Sequence, residues 1–419
     1  MTPSPQATAA FTDAPSFDAL FDRAVRRHPS VRAAQQAYLA AQFDARLASQ
    51  YPNVGLSLMA EYSKQADAAK SWLLGGALDL PIDTGGRKAG RLTDATLSTR
   101  VARYDLADAI FTVRTNLATS LATLQATDRL RGLCARNVDL KTQALDQATA
   151  RVQHGEDDAS ILTVARLDVT NAQNACRDIE VRNATARADL AALLGLPVSE
   201  LAGLRLPDYN PNLSVLPSET VSMRHERALY ARADILKAIA DYDRSENAVR
   251  VEVAKQYPEV RVAPGYTWER GVSKYPFNLS LVLPPADLNR AGIKAAEARR
   301  AAAGATLEAV VATQYAAEQK ALSAYSQGLA LAQQISVHDL PLAAAQSRRA
   351  ENLTRLGEGA LSDVLTAQIA HSDAQIRGEE AELATTLAHI QLEDAWRQPV
   401  SDTEAQTLSS LIKSMEISQ

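Results

Sequence analysis

Gln50-Tyr51-Pro52-Asn53-Val54 and Gln256-Tyr257-Pro258-Glu259-Val260 are two copies of one junction, a little over 200 residues apart, and each ends a helical stretch. Arg27-His28-Pro29-Ser30-Val31 opens the first stretch and Arg232-Ala233-Asp234-Ile235 the second. Further along, Leu78-Asp79-Leu80-Pro81 answers Leu281-Val282-Leu283-Pro284, and Gly86-Arg87 answers Asn289-Arg290. Ser160-Ile161-Leu162-Thr163 answers Asp363-Val364-Leu365-Thr366 at the same offset of 203. The order of elements is therefore duplicated, which is the architectural signature of an internal repeat.

Each half reads helix, strand, strand, long helix, turn, helix. Arg87 to Gln153 is 67 residues without proline, and Leu106, Ile110, Val113, Leu117, Leu121 and Leu124 recur at steps of three and four, the stripe of an amphipathic or coiled-coil helix. At about 1.5 Å per residue the rod is roughly 100 Å long. Its counterpart, Arg290 to Arg355, is 66 residues with Val311, Tyr315, Leu322, Tyr325 and Leu329 on a similar stripe, and Pro341 inside it should kink it or mark a break. The shorter helices are expected over Phe17 to Gln50 and Ala159 to Leu194, a half-rod on either side of each long one. The expected segments are an N-terminal stretch 1–16 without order, a first repeat 17–197, a turn-rich linker 198–217, a second repeat 218–399 and a tail 400–419.

Composition narrows the class. The chain has 419 residues, 46% hydrophobic but only 5% aromatic, a mixture that favours closely packed helices. With 44 Lys+Arg against 49 Asp+Glu there is no basic surplus for phosphate contacts, so no nucleic-acid partner is expected. No apolar run approaches the roughly 18 residues of a membrane-spanning helix. Barrel strands are about 10 residues long and alternate polar with apolar, which a mean hydropathy of -0.18 accommodates. The first sixteen residues have neither the basic nor the apolar region of a signal peptide, so either a cytoplasmic protein or an already processed chain is expected.

Four strands show that alternation. Val54, Leu56, Leu58, Ala60 and Tyr62 form one apolar set; Trp72, Leu74, Leu78 and Leu80 the next; then Val260, Val262, Tyr266 and Trp268; then Phe277, Leu279, Leu281 and Leu283. Two soluble hairpins would show the same pattern. Four strands are too few to close a barrel of about eight, and an isolated sheet at the end of such rods would leave open edges. Three copies remove both difficulties, with twelve strands in one barrel and twelve helical columns beneath it.

From Phe17 to about Pro399 the sequence resembles the outer-membrane efflux protein (TolC) family, on the duplicated half, the two rods, the strand pairs and the turns Arg151-Val152-Gln153-His154-Gly155 and Arg355-Leu356-Gly357-Glu358-Gly359-Ala360-Leu361-Ser362-Asp363. Pro81-Ile82-Asp83-Thr84-Gly85-Gly86-Arg87-Lys88 is similar to a run of its heavy-metal (CzcC-like) branch. The resemblance implies a mainly α fold with a small β part: a homotrimer with a 12-stranded barrel in outer-membrane lipid and a 12-helix periplasmic tunnel. It also implies a passive exit duct for heavy-metal cations or drugs, working with a periplasmic adaptor and an inner-membrane RND pump. No cofactor and no catalysis are implied. A duct for type I protein secretion and a soluble coiled-coil scaffold are the rival readings.

On this resemblance Arg151, Gly155, Ser160, Arg355, Gly357, Gly359 and Ser362 form the adaptor-docking tips. Glycine there permits a left-handed helix end, and Ser160 and Ser362 can start the following helices. Asp363 matches the first acidic residue of the family's aperture pattern, with Thr366 at the second. The plainer reading of Asp363 is a carboxylate favourably placed at a helix start. Leu56, Leu58, Trp72, Leu78, Val262, Tyr266, Phe277 and Leu281 are the expected lipid-facing set. Cys134 and Cys176 each lie 21 residues from Gly155, at one height of an antiparallel hairpin. They are either two buried thiols or a disulfide, the latter requiring Cα atoms within about 7 Å. The six histidines have no ligand spacing, so no metal site is expected, and neither a nucleotide fingerprint nor a hydrolase motif is present.

Overall fold

The computed structural model describes residues 16–51, 53–62, 64, 72–201, 203–211, 213–269, 271–399 and 402–417. The expected unstructured stretch 1–16 therefore lies outside the described residues except for Ser16, whose hydroxyl accepts from the Ala19 amide and caps α1 (Phe17–Arg27). The chain divides into two compact units, one of Ala34–Leu106 with Ala233–Ala312, the other of the residues up to Ala33, Ala107–Arg232 and Thr313 onward.

The first helix is broken where a continuous one was expected. α1 ends at Arg27, His28 is extended (ψ 127°), and α2 runs Pro29–Ser49. Pro29 supplies the reason, because the residue before a proline is pushed out of the helical region. The second repeat breaks at the matching place without a proline: α6 (Ser218–Ala231) and α7 (Ala233–Ala254) flank an extended Arg232. Its buried guanidinium donates to the carbonyls of Asp394 and Ala395.

The rods are as read. α3 is one helix over Arg87–Gln153, followed by α4 (Ser160–Leu194). Leu106, Ile110, Val113, Leu117, Leu121 and Leu124 are all buried. The second rod is α8 (Arg290–Gln334), a π-helical segment Ile335–Asp339, and α9 (Leu340–Arg355), then α10 (Leu361–Trp396). Pro341 has no N–H for the Val337 carbonyl, and the rod absorbs this as a π turn instead of a break. Its stripe is less complete than expected: Tyr325 and Leu329 are buried, but Tyr315 is exposed.

The linker and the tail both carry regular structure. The linker holds a short helix, α5 (Val198–Leu201), and is pinned by side chains: Gln125 bonds the Tyr209 amide and the Pro207 carbonyl, while the Tyr325 hydroxyl takes the Ser214 amide and donates to its carbonyl. The tail forms α11 (Asp402–Ile417), which buries Leu408, Leu411 and Met415 and packs against α1.

The sheet runs β1 (Gly55–Tyr62), β2 (Trp72–Ile82), β3 (Glu259–Glu269), with β4 (Val272–Lys274) and β5 (Phe277–Val282) both on β3, all antiparallel. Five segments replace the four expected because Tyr275-Pro276 interrupts the return strand. Pro276 has no ladder donor, yet its carbonyl accepts from Gly265 at 2.8 Å. Thr267 opposes Lys274 before the gap and Pro264 opposes Phe277 after it, so the register is unbroken.

Candidate functional site

The two rods end in the same backbone motif. Gly155 (φ 75°) donates to Val152 at 3.0 Å and Glu156 to Arg151 at 2.9 Å; Gly357 (φ 81°) donates to Thr354 at 3.0 Å and Glu358 to Leu353 at 2.9 Å. This pair of bonds closes the last carbonyls of a helix around a left-handed residue, which glycine adopts without a Cβ penalty. Gly359 is different. Its φ is not positive, but a Cβ there would lie 2.9 Å from the Thr354 hydroxyl, so it is small for space.

Neither serine caps its helix. Ser160 is the first residue of α4, and its amide donates to Asp158 Oδ1 at 2.7 Å. The Ser160 hydroxyl and amide hold the Asp158 carboxyl below its ordinary range. Ala159 stands at the N-cap position without a side-chain bond, and the charged Asp158 carboxylate takes the first amide of α4 in place of a serine hydroxyl. Ser362 lies inside α10, where its carbonyl accepts from the Thr366 hydroxyl at 2.8 Å. Arg151 pairs with Asp157 at 3.0 Å across the turn, whereas Arg355 bonds Asn352 at 2.6 Å along its own helix.

A groove of about 520 Å³ opens beside the first tip. Ala144, Ala148 and Arg151 of α3, Ile161, Val164 and Asp168 of α4, and Ser362, Leu365 and Thr366 of α10 line it. Small residues leave the space and exposed Ile161 and Val164 make it apolar, with a charged rim. Asp363 and Thr366 are both exposed, Asp363 in the first turn of α10 and Thr366 one turn on.

Directly opposed residues of antiparallel strands share a face. Leu56 opposes Leu78, Leu58 opposes Gly76, Tyr62 opposes Trp72, Gly76 opposes Tyr266, Leu80 opposes Val262, Val260 opposes Leu281 and Pro264 opposes Phe277. All eight residues expected to meet lipid therefore stand on one side of the sheet. Most are strongly exposed, Leu58 at 78% and Phe277 at 68%. Among the described strand residues no charged side chain is on that side. The other side carries the Asp79–Arg261 pair at 3.1 Å, the Glu269–Lys274 pair, and Ser57 donating to the Ala77 carbonyl.

Cys134 and Cys176 are joined in a disulfide with Cα atoms 5.7 Å apart, beside buried Leu130 and Ile179, with Ile376 of α10 against them. Two buried polar clusters had no sequence signal. Arg114 contacts both Glu393 (2.9 Å) and Glu404. Burial opposes its charge, but the two carboxylates hold its pKa above the ordinary value; burial pushes the Glu404 carboxyl up against the pull of Arg114. Elsewhere, Glu318 accepts from the Trp396 indole at 2.8 Å and meets His225 at 2.6 Å. Their partners lie on remote parts of the chain, and periodicity does not reach them. No group of three or more metal-ligating side chains occurs among the described residues.

Residues 20–196 match the model of the outer membrane efflux protein family. The cobalt-zinc-cadmium resistance protein CzcC of Cupriavidus metallidurans is 25% identical over 215 residues, covering 51% of this chain and 49% of that protein. The nickel and cobalt resistance protein CnrC of the same species is 25% identical over 324 residues, 76% of this chain and 75% of that one. The match thus spans about half the length of the first relative. Among solved structures, the outer-membrane channel OprN superposes with a TM-score of 0.75 at 18% identity, covering 91% of this chain and 90% of that one.

Proposed function

From the match of residues 20–196 to the outer membrane efflux protein family, we propose that the chain is a member of that family and the outer-membrane exit duct of a tripartite efflux system. The observation that carries this reading is the sheet: one continuous apolar, uncharged side and one polar side, with two open edges. Three copies supply twelve strands, counting the interrupted return strand once, and such a closed sheet satisfies every backbone group in lipid. The polar side then lines water. The duct is passive, and energy comes from an inner-membrane RND pump joined through a periplasmic adaptor.

The tips at Gly155 and Gly357 are the adaptor-docking ends, and the apolar groove beside Arg151 and Ile161 is suited to a helix from that partner. Asp363 and Thr366 stand at the aperture. The substrate class is divalent heavy-metal cations, a reading supported by relatives named for cobalt, zinc, cadmium and nickel resistance and by the run Pro81 to Lys88. A duct needs no tight metal site, since it must release what it carries.

Two experiments test this. Light scattering of the detergent-extracted particle, corrected for detergent, should give about 135 kDa, three times 45.1 kDa; a detergent-free monomer or dimer would remove the barrel. Deleting the gene should sensitise cells to cobalt, zinc, cadmium or nickel, and unchanged metal tolerance would remove the substrate assignment.

A further inference from the structure

The linker passes over two adjoining cavities, both inside the unit that holds α10. The larger, about 750 Å³, lies between α3, the second rod at its π turn, and α10. The smaller, about 260 Å³, lies between α3 and α10. Asn210 of the linker and Glu382 of α10 line both, so the two cavities share a wall.

Their chemistry differs. The larger has the volume of a small-molecule site, with an apolar wall of Leu213, Leu329, Ile335 and Leu340, and no lysine, arginine or histidine lines it. The smaller is polar, and Gln125, Arg129 and Asp208 face it. Its charges do not cancel. Arg129 is paired with Glu379 at 2.7 Å, while Asp208 and Glu382 are exposed carboxylates with no paired cation among the described residues.

Gly378 of α10 keeps the larger cavity open. Glycine inside a helix is less stable than alanine, and nothing in the backbone requires it here. Its φ is not positive, and a Cβ would stand 3.6 Å from Ile335 Cγ2, an ordinary contact. A longer side chain at this position would enter the void. The helix thus carries a destabilising residue where that residue preserves space.

We propose that this two-part cavity binds an amphiphilic organic cation, with its apolar body against Leu213, Leu329 and Leu340 and its charged end on Asp208 and Glu382. An apolar chamber opening on a chamber with two uncompensated carboxylates is complementary to that class, and an anion or a small hydrated ion would leave one half unmatched. Ile335 belongs to the π turn, so the occupant touches the second rod where its hydrogen bonds are displaced, and π segments recur at functional sites. The site is complete within one copy and does not rest on the duct reading.

The test titrates the full chain, extracted in detergent, into rhodamine 6G and follows fluorescence polarisation. Saturable binding of one dye per chain is expected, and the anionic dye fluorescein should neither bind nor compete. Asp208→Asn with Glu382→Gln should weaken rhodamine 6G binding about tenfold or more, the loss of charged contacts. Gly378→Leu should remove the binding while the protein melts no lower than the wild type, which separates a filled cavity from a failed fold. Equal binding by the wild type and both variants would assign the dye to the micelle and overturn the site. A wild type that binds no dye, with a Gly378→Leu variant of altered oligomer mass, would overturn it in favour of a contact between copies.

Discussion

Leu288 holds the left-handed backbone conformation (φ 53°) that Gly85, its counterpart in the first repeat, holds at φ 71°. The next residues repeat the match, Asn289 at 57° and Gly86 at 78°. One two-residue turn thus leads from sheet to rod in both halves, but only the first uses glycine. A leucine in this region costs about 1 kcal/mol. Leu288→Gly is expected to raise stability by about that amount in a denaturant or thermal melt. Gly85→Leu should lower it by about 2 kcal/mol or more, since a Cβ there would also lie 2.9 Å from the Ala254 carbonyl oxygen. A loss at Gly85→Leu no larger than the gain at Leu288→Gly would show that the Ala254 contact adds nothing, and no gain at Leu288→Gly would show that the left-handed leucine is not strained.

Arg114 faces two carboxylates in a buried site, so removing it takes a buried cation from both Glu393 and Glu404. Arg114→Met is expected to cost about 3–5 kcal/mol. Glu404 behaves differently, because burial raises its folded pKa. The protonated form is favoured by folding, so its contribution is fully present below the ordinary carboxylate value and is lost as pH rises through the raised one. Glu404→Gln should flatten that part of the stability-versus-pH curve; a slope that survives the substitution would assign it to another group.

The disulfide closes a loop with a sequence separation of 42, for which chain entropy gives about 4 kcal/mol. Replacing Cys134 and Cys176 together by serine should lower the melting temperature. Reductant should lower that of the wild type and leave the double variant unmoved, which melts with and without reductant will check.

On the sheet, Leu58→Arg or Leu281→Arg places a charge on the apolar side, at about 2–4 kcal/mol near mid-membrane depth. Ser57→Arg and Ser280→Arg place it on the polar side. The first pair should reduce the amount of protein recovered in the membrane fraction and the second pair should not; equal losses would remove the assignment of the sides.

In the proposed trimer Asp363, exposed in the first turn of α10, would repeat three times around the aperture, and a ring of carboxylates attracts cations. Asp363→Asn should shift the bilayer reversal potential toward lower cation preference under a salt gradient. An unchanged value would leave Asp363 as a helix-start carboxylate and nothing more.

Local pattern told most about the rods: Arg87 to Gln153 follows from the absence of proline, a sustained stripe and glycine at the stop, and Arg290 to Arg355 from its place as the counterpart in the repeat, with Pro341 inside it. The apolar side of the sheet was equally legible, since period two needs no tertiary information. Tertiary causes hid the rest. The break at Arg232 depends on carbonyls at the end of α10, and the Arg114 and Glu318 clusters join residues far apart in sequence. Two misses were visible in principle. Pro29 announced the break after His28, and Leu408, Leu411 and Met415 have helical spacing in a stretch read as tail. At the first tip, Asp158 accepts the Ser160 amide, so Ser160 is the donor at the start of α4 and not its cap.

Cys134 and Val337 are counterparts at the repeat offset of 203. At one level of the duplicated rods, then, the first carries a covalent bolt to its neighbouring helix, and the second carries the π turn with its displaced hydrogen bonds. The two arms are alike in length and unlike in stiffness. A load applied to both tips will be borne rigidly by α3 and α4, while the second rod yields in bend and torsion at Ile335–Asp339. Duplication has given this chain a brace and a compliant joint made from one ancestral part.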